Sequence, residues 1–253
     1  MKISAVIITK NEERNILRCL HSVQDVADEI VVVDSGSTDD TAAICEQFGV
    51  KFVHQDWLGY SEQKNFANNL ATNDWILSID ADEELSDELK ISIFNYKNYE
   101  HIPHDMVFSM NRLTNYCGHW IRHCGWYPDR KIRLWNRTVG QWKGDIHETI
   151  EFSTKVKEKV LKGDLLHYSF ESPQDYENQQ FKFAKMRGQH YFMKGKKHAS
   201  FYMVVSPIFS FIQHYFFQLG FLDGADGWHI CRITAKATRL KYKTLKELTD
   251  KKL

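Results

Sequence analysis

Four carboxylates stand within five residues, in the segment 80–84 (DADEE). The apolar run 75–79 (WILSI) precedes them directly and is typical of a buried strand. Carboxylates this close repel one another, and a bound cation relieves the repulsion. Their hard oxygen atoms suit Mg²⁺ or Mn²⁺, with substrate phosphates completing the coordination. For Glu83 and Glu84 the alternative is an acidic helix start, because a helix can begin at Ser86.

Polar residues follow two other apolar runs in the same way. The run 3–9 (ISAVIIT) is followed by Asn11 and Glu12, and the run 30–33 (IVVV) is followed by Asp34. In an open α/β sheet, ligands bind beyond the carboxyl ends of parallel strands. All three polar groups are therefore expected at one rim of a sheet.

The apolar spacing predicts the elements that position these groups. Helices are expected at 13–23, from about Asp40 to Phe48 with Gly49 as its C-cap, and at 61–70, and a short strand is expected at 51–53. Ser37 and Asp40 form an S-x-x-D capping pattern. The order β-α-β-α-β-α-β predicts an α/β fold with a mostly parallel central sheet flanked by helices.

The middle of the chain is rich in aromatic residues and harder to assign. Strands are expected at 106–113, 131–135 and 165–168, and a helix at 174–195. We divide the chain into a first part at 1–95, a second part at 96–170 and a helical C-terminal extension at 171–253.

Residues 198–222 contain no Asp, Glu, Lys or Arg. Pro207 and several polar residues interrupt the run, and those polar residues recur on one helical face. We favour an interfacial helix lying on a membrane, over a membrane span or a buried helix or oligomer contact. Basic residues recur on one face of the next segment, at Arg232, Lys236, Arg239 and Lys243. A membrane surface is therefore an expected partner.

The charge distribution excludes one class of partner. Residues 1–100 hold 19 acidic and 8 basic side chains, a net charge of −11. A nucleic-acid-binding protein has a basic footprint instead, so we expect no nucleic-acid partner. Five cysteines without a C-x-x-C motif indicate a reducing compartment, and the N-terminus does not resemble a signal peptide.

Three segments carry a specific resemblance to a known family. VIITKNEERNI, EIVVVDSGSTDDT and DWILSIDADEEL resemble the nucleotide-binding half of family 2 glycosyltransferases, which have the GT-A fold. This resemblance covers roughly residues 1–95. WYPDRKIRLWNR, GDIHETI, LLHYSF and GFLDGADG more weakly resemble bacterial enzymes of lipopolysaccharide-core assembly.

The resemblance implies roles for individual residues. Asp82 would bind a divalent metal, Mg²⁺ or Mn²⁺, and His167 would complete that site. Residues implied to bind the nucleotide-sugar are Thr9, Asn11, Glu12, Asp34, Ser35, Ser37, Lys64, Asp80 and Ala81. The basic residues Arg130, Lys131 and Arg133 suit the diphosphate or an anionic acceptor, but alternate members of a strand point opposite ways, and Arg133 is our choice for the nucleotide-sugar. Several of these residues also have a structural alternative. Thr9 and Asn11 could simply end a strand, and Ser37 could only cap its helix. Lys64 could be a solvated helix residue, and His167 a buried core histidine.

The family's chemistry is direct displacement at the anomeric carbon with inversion, which needs one general base. Glu148 is our first choice for that base and Asp145 the second. The alternative for Glu148 is a surface carboxylate, or one that only orients His147.

These features predict an enzyme at the cytoplasmic face of the cell membrane. It would transfer a hexose from a nucleotide-sugar, a UDP-hexose, to a glycolipid acceptor such as lipopolysaccharide core. Exopolysaccharide and protein-linked glycan are alternative acceptors. A membrane-docked, non-catalytic sugar-nucleotide-binding protein is the alternative of another class. The chain lacks the G-x-G-x-x-G motif of dinucleotide-binding enzymes.

Overall fold

A computed structural model describes residues 1–144 and 148–251. The chain divides into two compact units. The first unit consists of Met1–Arg112 and Asp129–Tyr168, and the second of Leu113–Pro128 and the residues from Ser169 onward.

The first unit begins with the predicted alternation of strands and helices. Its elements are β1 (Ile3–Thr9), α1 (Ile16–Val23), β2 (Glu29–Asp34), α2 (Thr41–Phe48), β3 (Lys51–His54), α3 (Tyr60–Leu70) and β4 (Trp75–Asp80). Strands β3, β2, β1 and β4 lie side by side and parallel. The β-branched runs fill β1 and β2 because helices cover both faces there. Gly49 ends α2 in the left-handed conformation, as its position predicts.

The remaining strands of the sheet include antiparallel ones. They and the next helix are β5 (Glu83–Leu85), α4 (Asp87–Lys97), β6 (Met106–Tyr116), β7 (His119–Ile121), β8 (Asp129–Asn136), β9 (Gly140–Lys143), β10 (Thr149–Phe152) and β11 (Lys157–Phe170). The sheet order is β3-β2-β1-β4-β8-β6-β11-β5, with β7 paired to β6, and β9 and β10 form a separate hairpin. Because β8 runs antiparallel to β4 and β6, the whole sheet is mixed. The prediction of a mostly parallel sheet was therefore correct only for β1 to β4.

One local prediction, the Ser37 cap, was wrong, and so was the alternative of a helix start at Glu83 and Glu84. Glu83 and Glu84 do not start a helix, since they lie in β5, paired antiparallel with β11. Ser37 does not cap α2, because its hydroxyl donates to Asp34 instead. Ser86 does cap α4, as expected, accepting a hydrogen bond from the Leu89 amide.

The second unit is mainly helical. Its helices are α5 (Pro173–Met193), α6 (Ala199–Ile212), a one-turn π-helix (Gln213–Phe217), a 3₁₀ turn (Gly220–Asp223) and α7 (Gly224–Asp250). Its core is aromatic, built around Tyr116, Trp126, Phe170 and Tyr176. Both α5 and α6 pack against α7. Within residues 1–144 and 148–251, no helix is both long and apolar enough to cross a membrane.

Candidate functional site

A cavity of about 560 Å³ opens in the first unit at the carboxyl ends of β1, β2 and β4. Each of the three strand ends predicted to share a rim contributes to its lining, through Glu12, Ser35 and the segment 80–82. Nine of the predicted site residues line it, namely Thr9, Glu12, Ser35, Lys64, Asp80, Ala81, Asp82, Glu148 and His167. Parallel strands explain this convergence, because their carboxyl ends all face the same edge of the sheet.

Asp34 and Asn11 shape the loops beside the cavity. Asp34 is buried and accepts hydrogen bonds from the amides of Gly36 and Ser37, each at 2.9 Å, and from the Ser37 hydroxyl at 2.5 Å. Ser37 Oγ also accepts from the Asn11 amide at 2.8 Å, and Asn11 Oδ1 accepts from the Thr38 amide at 2.8 Å. Asn11 holds a left-handed φ of 55°, which asparagine tolerates well. These contacts tie the loop after β1 to the loop after β2.

Asp80 lies between two cations at the end of β4. Lys64 Nζ is 3.0 Å from Asp80 Oδ1, and Arg133 Nη2 donates to Asp80 Oδ2 at 2.7 Å. Burial opposes ionisation of this carboxyl, but Arg133 and Lys64 together hold its pKa well below the usual range. Asp80 is therefore ionised at neutral pH.

Arg133 is almost fully buried beside Asp80. It is 4% exposed, and its Nη2 also donates to Glu83 Oε1 at 2.5 Å. Burial opposes the charge of the guanidinium, yet Asp80 and Glu83 raise its pKa above the ordinary value. Arg133 thus joins the end of β4 to β5, and it borders a second cavity next to Lys64 and Glu148.

Lys64 connects Asp80 with the candidate base. It is 3% exposed, so it is not a solvated helix residue. Its Nζ lies 3.3 Å from Glu148 Oε1 and 4.6 Å from the centre of the Trp142 ring, a cation–π distance. Glu148 is partly exposed toward the cavity, which suits a base that must meet an acceptor hydroxyl. Asp145 and His147 lie outside the described residues.

Asp82 and His167 stand together on the cavity wall. His167 Nε2 is 3.2 Å from Asp82 Oδ2, and the pairing of β11 with β5 holds His167 opposite Glu83. Across the described residues, no cluster of three or more His, Cys, Asp or Glu side chains is arranged to hold a metal ion. A carboxylate and an imidazole nevertheless fit a divalent metal, since Mg²⁺ and Mn²⁺ sites often use one or two protein groups with substrate phosphates.

Two features of the cavity were absent from the sequence prediction. Thr9 Oγ1 is buried on the cavity wall without a hydrogen-bond partner among the described residues, so a ligand atom can supply one. Trp57 and Tyr60 also line the cavity, about half exposed, with ring centres 4.8 Å apart. The signal was their position on both sides of Gly59, in a loop that follows a strand at the same rim.

Comparison with known proteins identifies relatives. The family described as Glycosyl transferase family 2 matches residues 4–162. A Rickettsia typhi protein named as an uncharacterized glycosyltransferase is 34% identical, over 99% of this chain and 88% of its own length. The lipopolysaccharide core biosynthesis glycosyltransferase LpsC of Rhizobium meliloti is 27% identical, over 85% of this chain and 81% of its own.

Two solved structures show more distant similarity. Staphylococcus aureus TarS in complex with UDP is 16% identical, over 100% of this chain and 92% of that one, with a TM-score of 0.45. Mycobacterium tuberculosis glucosyl-3-phosphoglycerate synthase, in complex with Mn²⁺, UDP and its product, is 22% identical over 45% of this chain and 44% of that one, with a TM-score of 0.35.

The mixed sheet, its flanking helices and the carboxylate-lined cavity at its rim define a glycosyltransferase of the GT-A type. The chain belongs to glycosyl transferase family 2.

Proposed function

We propose that this glycosyltransferase moves a hexose from a UDP-sugar to the hydroxyl of a glycolipid, such as a lipopolysaccharide core, with inversion at the anomeric carbon. One observation carries the proposal. Within one cavity, the Asp82–His167 pair stands with a carboxylate, Glu148, that a buried lysine holds at 3.3 Å. These are the parts that glycosyl transfer needs, namely a place for the diphosphate and a base for the acceptor.

The donor would lie along the rim formed by the ends of β1, β2 and β4. Thr9 offers an unpaired hydroxyl there, and Ser35 presents its side chain beside Gln63, which donates to it at 3.1 Å. Asp34, Asn11 and Ser37 act by fixing the loops that form this edge. Asp80 keeps Lys64 in place, so that the lysine's charge lies near the departing diphosphate.

Asp82 and His167 would hold Mg²⁺ or Mn²⁺. When bound, the metal offsets the negative charge that develops on the diphosphate leaving group. Because Asp82 follows Asp80 by two residues, the metal end and the nucleotide end of the site are fixed by one strand terminus.

Glu148 would remove the proton from the acceptor hydroxyl as that oxygen attacks the anomeric carbon. Its contact with Lys64 Nζ at 3.3 Å would hold the carboxylate in position for this role. Asp145 is the second candidate for this role.

The name of the Rhizobium relative supports a lipopolysaccharide-core acceptor, although that protein shares only 27% identity. A glycolipid acceptor places the enzyme at the cytoplasmic face of the cell membrane. Exopolysaccharide and protein-linked glycan are the competing acceptors, and a non-catalytic sugar-nucleotide-binding protein is the competing class.

A donor screen tests the proposal. The purified chain should hydrolyse a UDP-hexose slowly without acceptor, and only with Mg²⁺ or Mn²⁺ present. Glu148→Gln should lower transfer by about 10²- to 10⁴-fold while donor binding, measured by calorimetry, stays within a few-fold. Asp82→Ala should weaken the binding of the metal and the binding of the donor together.

The controls separate the competing ideas. Glu151→Gln changes a nearby exposed glutamate on β10 and should leave turnover unchanged. A binding-only protein would bind a sugar nucleotide but show no turnover in any form. If no sugar nucleotide is bound or turned over with any metal, the proposed function is wrong.

A further inference from the structure

The second unit exposes an unusually large apolar surface. Twelve large apolar side chains between residues 201 and 222 are exposed by 39% to 80%. We call the exposed apolar side chains of residues 201–222 the apolar ridge. Its five phenylalanines alone leave roughly 600 Å² in water, taking about 200 Å² for a whole phenylalanine. The largest apolar patch of an ordinary monomer covers about 300–600 Å².

The polar side of this segment faces inward instead. Ser210 is 8% exposed, and its carbonyl oxygen lies 2.6 Å from the ring nitrogen Nδ1 of His214. Ser206, Gln213 and Gln218 are also partly buried. A helix on the surface of a water-soluble domain normally turns its polar side to solvent. The reversed orientation of α6 suits an apolar environment outside the protein.

Exposed cations lie before α6 in the chain and along α7. Exposed lysines precede α6, at Lys194, Lys196 and Lys197. On α7, exposed basic side chains recur on one helical face at Arg232, Lys236, Arg239 and Lys243.

A groove joins the two helices. Met203 of α6 lines one side of it. Its charged lining residues are four cations, Lys236, Arg239, Lys243 and Lys246, and two carboxylates, Glu247 and Asp250. Two of the cations have acidic neighbours, at 3.4 Å for Lys236 with Glu177 and 3.8 Å for Lys243 with Glu247. The positive charge is thus partly offset, but it keeps an excess beside the apolar ridge.

We propose that the apolar ridge docks on the surface of an anionic lipid bilayer. The aromatic and aliphatic side chains of α6 and the two turns after it enter the headgroup–acyl boundary. The exposed cations of α7 and of residues 194–197 contact lipid phosphates. Docking rests on the proposed function in that a glycolipid acceptor is embedded in such a bilayer.

The charge pattern favours a bilayer over a second copy of this chain. In a symmetric pair, each copy would present the same basic rim to its partner, and like charges would oppose association. An anionic bilayer matches both parts of the surface, since it offers acyl chains to the apolar ridge and phosphates to the cations.

Vesicle sedimentation with the full chain tests this docking. The chain should sediment with vesicles of phosphatidylcholine containing phosphatidylglycerol, and binding should fall at least about tenfold on phosphatidylcholine alone or in high salt. Phe209→Ser with Phe217→Ser should abolish binding, because these side chains are 64% and 80% exposed. Arg239→Glu with Lys243→Glu should remove the preference for anionic lipid.

The matched control removes two apolar side chains elsewhere. Ile91→Ser with Phe94→Ser changes residues of α4 that are 62% and 52% exposed, and this variant should bind vesicles as the wild type does. Circular dichroism and thermal unfolding check that each variant folds.

Two results would overturn the proposal. One is a wild-type chain that does not sediment with anionic vesicles, or a Phe209/Phe217 variant that binds like the wild type. The other is a chain that is dimeric without lipid and becomes monomeric in that variant, which would make the apolar ridge an interface between copies. Neither result depends on turnover, so the donor screen can succeed or fail independently.

Discussion

The Lys64 side chain lies between Asp80 and the candidate base Glu148. Its ammonium group contacts Asp80 at 3.0 Å on one side and Glu148 at 3.3 Å on the other, and it is almost fully buried. Without it, two carboxylates would face each other across the cavity with less positive charge between them. We therefore propose that Lys64 positions Glu148, the proposed base.

Lys64→Met should lower kcat by about 10²-fold, because a small displacement of a catalytic group can have an effect of that size. Lys64→Arg should recover part of the loss, since it restores the charge with a different geometry. Steady-state kinetics with saturating donor measure both effects. Lys90→Met is the control, because Lys90 pairs with an exposed aspartate on α4 and should leave kcat unchanged. Equal kcat values for the wild type and Lys64→Met would contradict the positioning role.

The sequence predicted the cavity residues better than the residues behind them. Thr9 ends the apolar strand β1 and Asp82 follows β4, so their common rim could be inferred from topology, whereas His167, which lies within β11, was expected there only from the family resemblance. The contacts of Arg133 with Asp80 and Glu83 could not be predicted, because on a strand of alternating orientation nothing local tells which basic side chain points inward. For its partner Glu83 the sequence left a helix start open as an alternative, since strand β5 is three residues long and pairs with the distant β11.

Among the secondary-structure elements, sequence patterns correctly predicted those that pack against elements close to them in the chain. The strands and helices from β1 to β4 follow each other closely, and their apolar runs and the C-cap at Gly49 could be read directly. The antiparallel half depends on pairings between distant segments, such as β4 with β8 and β5 with β11. These registers are set by tertiary packing, which a single sequence does not encode in its periodicity.

One close contact fixes β11 against α4, which follows directly after the acidic segment. Gly163 has a φ of +88°, and a Cβ there would lie 2.3 Å from the Leu89 amide nitrogen. Next to it, the Asp164 amide donates to Ser86 Oγ at 3.0 Å, and the Ser86 amide donates to the Asp164 carbonyl at 3.1 Å. The side chain of His167 reaches Asp82 because β11 is held in this register.

Gly163→Ala should lower the free energy of unfolding by more than about 3 kcal/mol, because backbone strain and a clash with main-chain atoms add together. Gly118→Ala tests strain without the clash. Its φ is +92°, but a Cβ there would meet nothing within 4 Å, so the loss should be about 1–2 kcal/mol. Urea unfolding of both variants gives the comparison. Similar losses would show that the contact with α4 is not tight.

At the scale of the whole molecule, several carboxylates depend on the folded state for their low pKa. In each case burial opposes ionisation, but hydrogen-bond donors or cations lower the pKa below its ordinary value. These groups are Asp28, Glu29, Asp39, Asp80 and Asp129. Asp129 is the most accessible to test, since it accepts two hydrogen bonds from Arg112, at 3.0 and 2.7 Å, and pairs with Lys131 at 2.9 Å.

A lowered pKa in the folded state means that the unfolded chain takes up protons first as the pH falls. The stability that these carboxylates contribute is therefore fully present above about pH 4–5 and is lost as the pH drops through their folded pKa values. The free energy of unfolding, measured by urea at several pH values, should fall steadily below about pH 4. Asp129→Asn should be less stable at pH 7, by about 1 kcal/mol for a partly exposed pair, and should lose less on acidification than the wild type. Asp25→Asn, at an exposed position, should match the wild type throughout. If Asp129→Asn loses as much stability on acidification as the wild type does, the ion pairs of Asp129 do not contribute to the acid sensitivity of the fold.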